Sequence, residues 1–146
     1  MNAFRVSVAG VILDADGRIL LCQRSQTKKF APGAWHMPGG GVDEGESIED
    51  ALRRELREEL ALELVDTPLN TGVVYTYDDP ERTDEVRFYA ARAANAPQLV
   101  NYENSAFVFV NEDEFPKYLS IARGDDVAAV LDVNLRAAAA ARSILG

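Results

Sequence analysis

One stretch, residues 35–62, constrains the fold more than any other part of the chain. It begins with an aromatic residue, a proline and three consecutive glycines, which together predict a backbone that turns tightly. A helix rich in carboxylates is predicted to follow, with Ser47 as its N-cap and an end near Leu60. Exposed loop backbone followed by a carboxylate-rich helix is a common way to hold a hard cation beside a phosphate. The stretch therefore predicts a site for such a pair.

The predicted helix carries carboxylates on its apolar side. Angles around the helix axis can be calculated at about 100° per residue, with Ile48 at 0°. Leu52 then lies at about +40°, Glu59 at about +20° and Glu55 at about −20°. Glu58 falls at the edge of this apolar sector, near about −80°. Acidic helices more often present a solvated face, but a solvated face would point its charges away from the leucines. An unpaired inward carboxylate is unfavourable by several kcal/mol, roughly, so these glutamates need a partner.

Two kinds of partner are available to the inward glutamates. Arg54 lies four residues before Glu58 and next to Glu55, where a helical ion pair is favourable. Divalent cations are the alternative, because carboxylates at this spacing offer an arc of oxygens suited to Mg²⁺ or Mn²⁺. The glycines at 39–41 would add carbonyl oxygens to such a site, although taken alone they indicate only a tight turn.

Composition limits the class of protein. The 146 residues, with 47% hydrophobic and 27% charged side chains, indicate one globular domain over residues 1–146. The net charge of −9 disfavours nucleic acid as a partner. Neither a membrane span nor a signal peptide is predicted. A lone cysteine, Cys22, is expected to be a buried small hydrophobe and fits the reducing cytoplasm.

Strands are predicted to dominate the chain, with one helix early and one at the end. A hairpin with a turn at Asp14–Gly17 is expected to join the first two strands. A short helical turn is expected over 111–119, and Asp125 or Asp126 is expected to cap a final helix ending near Leu145. The predicted strands cover residues 4–13, 18–24, 35–37, 62–65, 71–77, 85–92 and 106–110.

The stretch resembles the signature of the Nudix hydrolases: Gly, five residues, Glu, seven residues, then Arg-Glu-apolar-x-Glu-Glu-x-Gly-apolar. Eight of its nine specified positions match. The matching residues are Gly40, Glu46, Arg54, Glu55, Leu56, Glu58, Glu59 and Leu62, preceded by Trp35 and Pro38-Gly39. Ala61 replaces the usual glycine. Alanine in a left-handed helix cap costs about 1 kcal/mol, so the helix is expected to end differently here.

The resemblance implies an α/β/α sandwich around a central mixed sheet. It also implies Mg²⁺- or Mn²⁺-dependent hydrolysis of a nucleoside diphosphate linked to another moiety. Gly40, Glu55, Glu58 and Glu59 would bind the metal, and Glu58 or Glu59 would orient or deprotonate the attacking water. Arg54 and Glu46 would form the ion pair that holds the loop against the helix. A nucleotide is the expected small-molecule partner, and homodimers are common in the family.

Further residues are candidates for the site. Glu103 is similar to the additional glutamate that some relatives bring from a distant loop as metal ligand or base; the alternative is a solvated loop acid. Arg24 would bind phosphate or form a surface ion pair. Lys28, Lys29 and Arg82 are candidates to offset the acidic charge at the mouth of the site. His36 is expected to face away from Trp35 and to be structural. Tyr77 and Pro80 lie near subfamily marker positions but are uninformative here.

The substrate stays open among (d)NTPs, ADP-ribose and other nucleotide sugars, and dinucleoside polyphosphates. A second hypothesis is a catalytically silent module of the same fold that binds a nucleotide as a sensor. The complete set of signature glutamates disfavours it.

Overall fold

The structure, a computed structural model, describes residues 3–27, 32–78, 82–119 and 127–146. Lys28, Lys29, Pro80 and the predicted caps Asp125 and Asp126 lie outside the described residues.

The described strands form one sheet, and helices lie on both of its faces. The strands are β1 (Ala3–Leu13), β2 (Ile19–Arg24), β3 (Trp35–His36), β4 (Gly39–Gly41), β5 (Leu69–Asp78), β6 (Arg82–Arg92) and β7 (Asn104–Val110). The helices are α1 (Ile48–Leu60), α2 (Phe115–Tyr118), which follows a 3-10 turn at Glu112–Glu114, and α3 (Val127–Leu145). None of these helices, within the part of the chain described, is long and apolar enough to cross a membrane.

Strand β1 organises the sheet. One edge of β1 pairs in parallel with β6 along its whole length, from Ala3 with Arg82 to Leu13 with Arg92. The other edge is shared: β2 meets it antiparallel at Leu13, and β4 meets it antiparallel between Ser7 and Ala9. β7 and β3 flank β2, and β5 flanks β6. The sheet is therefore mixed, as predicted.

Successive side chains along each strand point to opposite faces of the sheet, and this produces two apolar layers. Val8, Ile12 and Leu20 pack against Leu52 and neighbouring side chains of α1. Val11, Leu13, Leu21 and Phe88 pack on the other face, against α2 and the small residues of α3, including Ala137 and Ala141. Small alanines let α3 approach the sheet closely. The predicted α/β/α sandwich is confirmed.

The glycine run is a strand and not the tight turn that was predicted. Gly41, Gly40 and Gly39 pair with Ser7, Val8 and Ala9. Gly39 has a φ of 152°, and a Cβ there would lie 1.9 Å from the Val8 carbonyl oxygen. Glycine is needed at residue 39 because a residue with a side chain could not approach β1 this closely.

Helix α1 begins after Ser47 and ends at Leu60 as predicted, but the conformation of Ala61 after its end differs from the prediction. Ser47 caps its start, and the Ser47 side chain accepts a hydrogen bond from the Asp50 amide at 3.1 Å. At the other end Ala61 does adopt the left-handed conformation, with φ 50° and ψ 35°. Its N–H donates to the Arg57 carbonyl at 3.1 Å, and the next residue, Leu62, is 1% exposed. These contacts offset the strain of the left-handed alanine.

Replacing Ala61 with glycine is expected to raise the free energy of unfolding by about 1 kcal/mol, because glycine adopts the left-handed cap without strain. Urea unfolding followed by circular dichroism measures the change. Ala51→Gly, in the buried interior of the same helix, is the matched control and is expected to destabilise by about 1 kcal/mol or more. A neutral or destabilising Ala61→Gly would show that the cap is not strained.

Two strand predictions also need correction. Residues 62–65 form only an isolated bridge, Leu64 with Ala93, because this segment leaves α1 and touches the sheet at its end. The strand predicted at 106–110 begins two residues earlier, at Asn104. Glu103 therefore immediately precedes β7.

Candidate active site

Arg54 links the glycine strand, the following loop and helix α1. Its Nε and Nη2 atoms donate to the two carboxylate oxygens of Glu46 at 2.8 and 2.9 Å. Nη2 also donates to the Gly41 carbonyl at 3.0 Å, which ties the helix to β4. The hydrogen bond from Arg54 lowers the pKa of Glu46 to about 2. This ion pair is the one that the resemblance implied, and it fixes the loop against the helix.

The three signature glutamates of α1 differ in exposure, in agreement with the angles around the helix axis that were calculated from the sequence. Glu59 is 8% exposed, and the Glu55 side chain is 16% exposed. The Glu58 side chain, at the edge of the apolar sector, is 57% exposed. Arg54 Nη1 donates to Glu55 at 3.0 Å and to Glu58 at 3.4 Å. Of the two partners that the sequence left open, arginine therefore serves Glu55 and Glu58.

Glu59 is different, because no arginine or lysine of the described residues forms an ion pair with it. A neutral amide serves it instead: Asn104 Nδ2 donates to Glu59 Oε2 at 3.4 Å. Burial, then the charges of Glu55 and Glu103, raises the pKa of Glu59 to about 8. Burial also raises the pKa of Glu55, although Arg54 opposes the shift. Among the described residues, the half-buried Glu55 is therefore paired with Arg54, whereas the buried Glu59 is paired with no arginine or lysine.

The segment of residues 95–103 brings Glu103 to this site. Helix α1 ends with carbonyl groups that lack helical partners, and this segment supplies donors to them. The Gln98 and Val100 amides donate to the carbonyls of Leu60 and Glu59 at 2.7 and 3.2 Å, and Asn101 Nδ2 donates to the Glu58 carbonyl at 3.2 Å. Glu103 is thereby held close enough to Glu59 to raise its pKa.

Gly40 of β4 lies against the carboxylate of Glu55. A Cβ at residue 40 would lie 2.6 Å from the Glu55 carboxyl carbon and 2.7 Å from Oε1. Only glycine leaves room for the carboxylate beside the backbone of β4. The Glu55 carboxylate beside the backbone of β4 offers oxygen atoms, the type of ligand that Mg²⁺ and Mn²⁺ prefer. The residues present therefore fit a hard divalent cation.

The carboxylates do not all converge on one point. Among the described residues, no three acidic, histidine or cysteine side chains are arranged around a common metal position. Glu58 is the most exposed of the three glutamates, and its described side-chain contact is the hydrogen bond from Arg54.

The other predicted residues lie at varying distances from this cluster. The Arg24 main chain pairs with Asn104, which places it beside the site. Arg82 begins β6 opposite Ala3, and no described contact joins it to the glutamates. His36 faces the α1 side of the sheet and Trp35 the other side, where Trp35 packs edge-on against Tyr118 at 5.0 Å. Cys22 is fully buried as predicted, and burial and the nearby Glu59 raise its pKa.

Asn101 and Asn104 were missed by the sequence analysis. Both donate hydrogen bonds to glutamates of α1. Asn101 donates to the main-chain carbonyl of Glu58, and Asn104 donates to the side chain of Glu59. The available signal was the polar run Asn-Tyr-Glu-Asn immediately before an apolar strand. That run predicts a loop, but the helix end that it contacts cannot be read from it.

The raised pKa of Glu59 predicts a pH dependence. Between about pH 4.5 and 8 the folded protein retains a proton that the unfolded chain releases, so stability falls as pH rises through this window. In EDTA, we expect Tm to fall from about pH 5 to 8 and Glu59→Gln to remove most of that slope. Glu46, with its lowered pKa, acts only at lower pH. Equal slopes in the two proteins, measured by calorimetry, would contradict the assignment.

Comparison with known proteins agrees with this geometry. The family described as NUDIX domain matches residues 3–129. The nucleoside triphosphatase NudI of Salmonella arizonae is 34% identical over 116 residues, covering 73% of this chain and 82% of the relative; that of Escherichia fergusonii is 33% identical with the same coverage. The crystal structure of a MutT protein from Methanosarcina mazei Go1 superposes with a TM-score of 0.77 at 22% identity, covering 93% of this chain and 94% of that one. A MutT NUDIX hydrolase from Burkholderia pseudomallei gives 0.69 at 25% identity, covering 92% and 98%. With its domain match, its relatives and its fold in agreement, the chain belongs to the Nudix family of hydrolases, which act on phosphoanhydride bonds.

Proposed function

We propose that this protein is a divalent-metal-dependent hydrolase of nucleoside triphosphates. The observation that carries the proposal is the buried Glu59, which lies beside Glu55 and Glu103 with no arginine or lysine of the described residues paired to it. A divalent cation would replace the proton that Glu59 retains and would pair with its carboxylate. The similarity to nucleoside triphosphatases at 34% identity favours a triphosphate over a nucleotide sugar or a dinucleoside polyphosphate.

The metal would be held by Glu55, Glu58 and Glu59 together with the Gly40 carbonyl. When bound, Mg²⁺ or Mn²⁺ supplies charge neutralisation at the phosphates and a more acidic water. Arg54 keeps Glu55 and Glu58 on the side of the helix that faces β4. Glu46 keeps Arg54 in place through two hydrogen bonds.

Proton transfer would be carried by one of the glutamates around the site. Glu58 is solvent-accessible, and Glu103 enters from the segment before β7, so either can accept the proton of the attacking water. Arg24, whose main chain pairs with Asn104, is the proposed contact to a substrate phosphate. The reaction adds water across one phosphoanhydride bond and releases two phosphate products with a proton.

A substrate panel tests the proposal. The purified protein is incubated with the eight common NTPs and dNTPs, ADP-ribose, nucleotide sugars and dinucleoside polyphosphates, with Mg²⁺, Mn²⁺ or EDTA. Products are separated by ion-exchange chromatography. Metal-dependent cleavage of triphosphates is the expected result. Tight nucleotide binding without turnover would instead favour the silent sensor module, and hydrolysis in EDTA would refute the metal role.

A further inference from the structure

We propose that Asn104, oriented by His36, is a positioning residue that holds the Glu59 carboxylate for metal binding. This inference rests on the proposed metal role of Glu59. His36 and Asn104 come from β3 and β7, which flank β2 on its two edges, so the arrangement depends on the sheet and not on a local loop.

The contacts form a chain of hydrogen bonds from the main chain of Met37, just after β3, to Glu59. Asn104 is 5% exposed, and its Nδ2 donates to Glu59 Oε2 at 3.4 Å. Its Oδ1 lies 3.2 Å from His36 Nε2. The other ring nitrogen, Nδ1, lies 2.8 Å from the Met37 carbonyl oxygen. Met37 directly precedes the Pro38-Gly39 pair that begins the glycine strand.

The direction of these bonds explains the choice of residues. A carboxylate that binds a metal accepts hydrogen bonds only, so the amide must turn its NH₂ group toward Glu59. Its carbonyl oxygen then faces His36. Because this oxygen and the Met37 carbonyl oxygen both only accept, both ring nitrogens of His36 donate in this arrangement, which requires the doubly protonated ring. His36 thereby selects the orientation of the Asn104 amide that serves an ionised Glu59. With the amide reversed, two acceptors would face each other.

The arrangement also explains how Glu59 is aimed. Glu59 is buried with the α1 leucines, where a flexible carboxylate would have several rotamers available. A hydrogen bond from the buried Asn104 amide to Glu59 Oε2 restricts them. Partners that hydrogen-bond to metal ligands in this way typically contribute about 10–100-fold to metal affinity or activity.

Mn²⁺ binding to the full-length, nucleotide-free protein, followed by electron paramagnetic resonance, tests the inference. Asn104→Leu, which removes the donor at similar volume, is expected to weaken Mn²⁺ affinity by about 10–100-fold and to lower kcat more than it changes KM. His36→Leu is expected to weaken affinity by about 10-fold, and His36→Gln, whose amide can still donate to Asn104, to restore it. Ser105→Ala, on the neighbouring exposed residue, is the matched control.

A double variant separates orientation from packing. If His36 acts through Asn104, His36→Leu combined with Asn104→Leu is expected to bind Mn²⁺ no more weakly than Asn104→Leu alone. Additive losses would overturn the link between the two residues. Wild-type Mn²⁺ affinity in a folded Asn104→Leu would overturn the proposal, as would a His36→Gln as weak as His36→Leu.

The outcomes also separate this inference from the proposed function. A wild-type protein that neither binds Mn²⁺ nor hydrolyses nucleotides would overturn both. A wild-type protein that does both, with an unchanged Asn104→Leu, would overturn this inference alone. If Asn104→Leu fails to fold, as judged by circular dichroism, the two His36 variants decide.

Discussion

Glu58→Gln is expected to lower kcat by about 10²–10⁴-fold while leaving the free energy of unfolding within about 0.5 kcal/mol of the wild type. The Glu58 side chain is 57% exposed, and its described side-chain contact is one long hydrogen bond from Arg54 at 3.4 Å. Removing its charge therefore leaves the packing intact. It does remove a proposed metal ligand and a candidate base from the site.

Steady-state hydrolysis of a nucleoside triphosphate, with urea unfolding alongside, measures both quantities. Asp50→Asn is the matched control, because Asp50 is an exposed carboxylate in the first turn of the same helix and points away from the site. It should retain wild-type kcat. Near-normal turnover of Glu58→Gln would eliminate Glu58 as ligand and as base, leaving Glu59 and Glu103.

The second large effect is expected at two adjacent glycines, where substitution by alanine should have different consequences. Gly40→Ala is expected to lower kcat by about 10²-fold with little loss of stability, because its Cβ meets the movable carboxylate of Glu55 at 2.6 Å. Gly39→Ala is expected to destabilise the fold by about 3 kcal/mol or more, because its Cβ meets the Val8 carbonyl oxygen at 1.9 Å and its φ of 152° suits glycine.

Urea unfolding and initial-rate kinetics distinguish the two variants. Gly45→Ala, with a positive φ of 80° and open space around it, is the control for backbone strain alone and is expected to lose about 1–2 kcal/mol. If Gly40→Ala is active, Glu55 does not need its position above β4. If Gly39→Ala is as stable as Gly45→Ala, the close approach of β4 to β1 is not essential.

The sequence was sufficient to predict the helix and the direction of its glutamates. A regular period of 3.6 residues and a side-chain cap at Ser47 are local properties, so the inward position of Glu55 and Glu59 could be calculated from spacing. The mixed sheet and its two helical layers followed from the resemblance together with the order of strands and helices.

The remaining features depend on contacts between distant segments. The glycine run was predicted to turn because glycine permits turns, but its strand conformation depends on space beside Val8 and Ala9 of β1. Ala61 was expected to avoid the left-handed region because its local strain is predictable, whereas the burial of Leu62 is not. Asn104 reaches Glu59 only because residues 95–103 bind the end of α1.

The parallel pairing of β1 with β6 has a consequence for how the protein folds. β4, which carries Gly40, is held by β1, and the other edge of β1 is completed by β6, which begins with Arg82 opposite Ala3. Contacts between such distant segments close long loops, which slows folding. While the chain is still emerging from the ribosome, the residues of α1 are made before those of β6, so the sheet that supports β4 is still incomplete. We therefore expect the site to assemble in a late folding step.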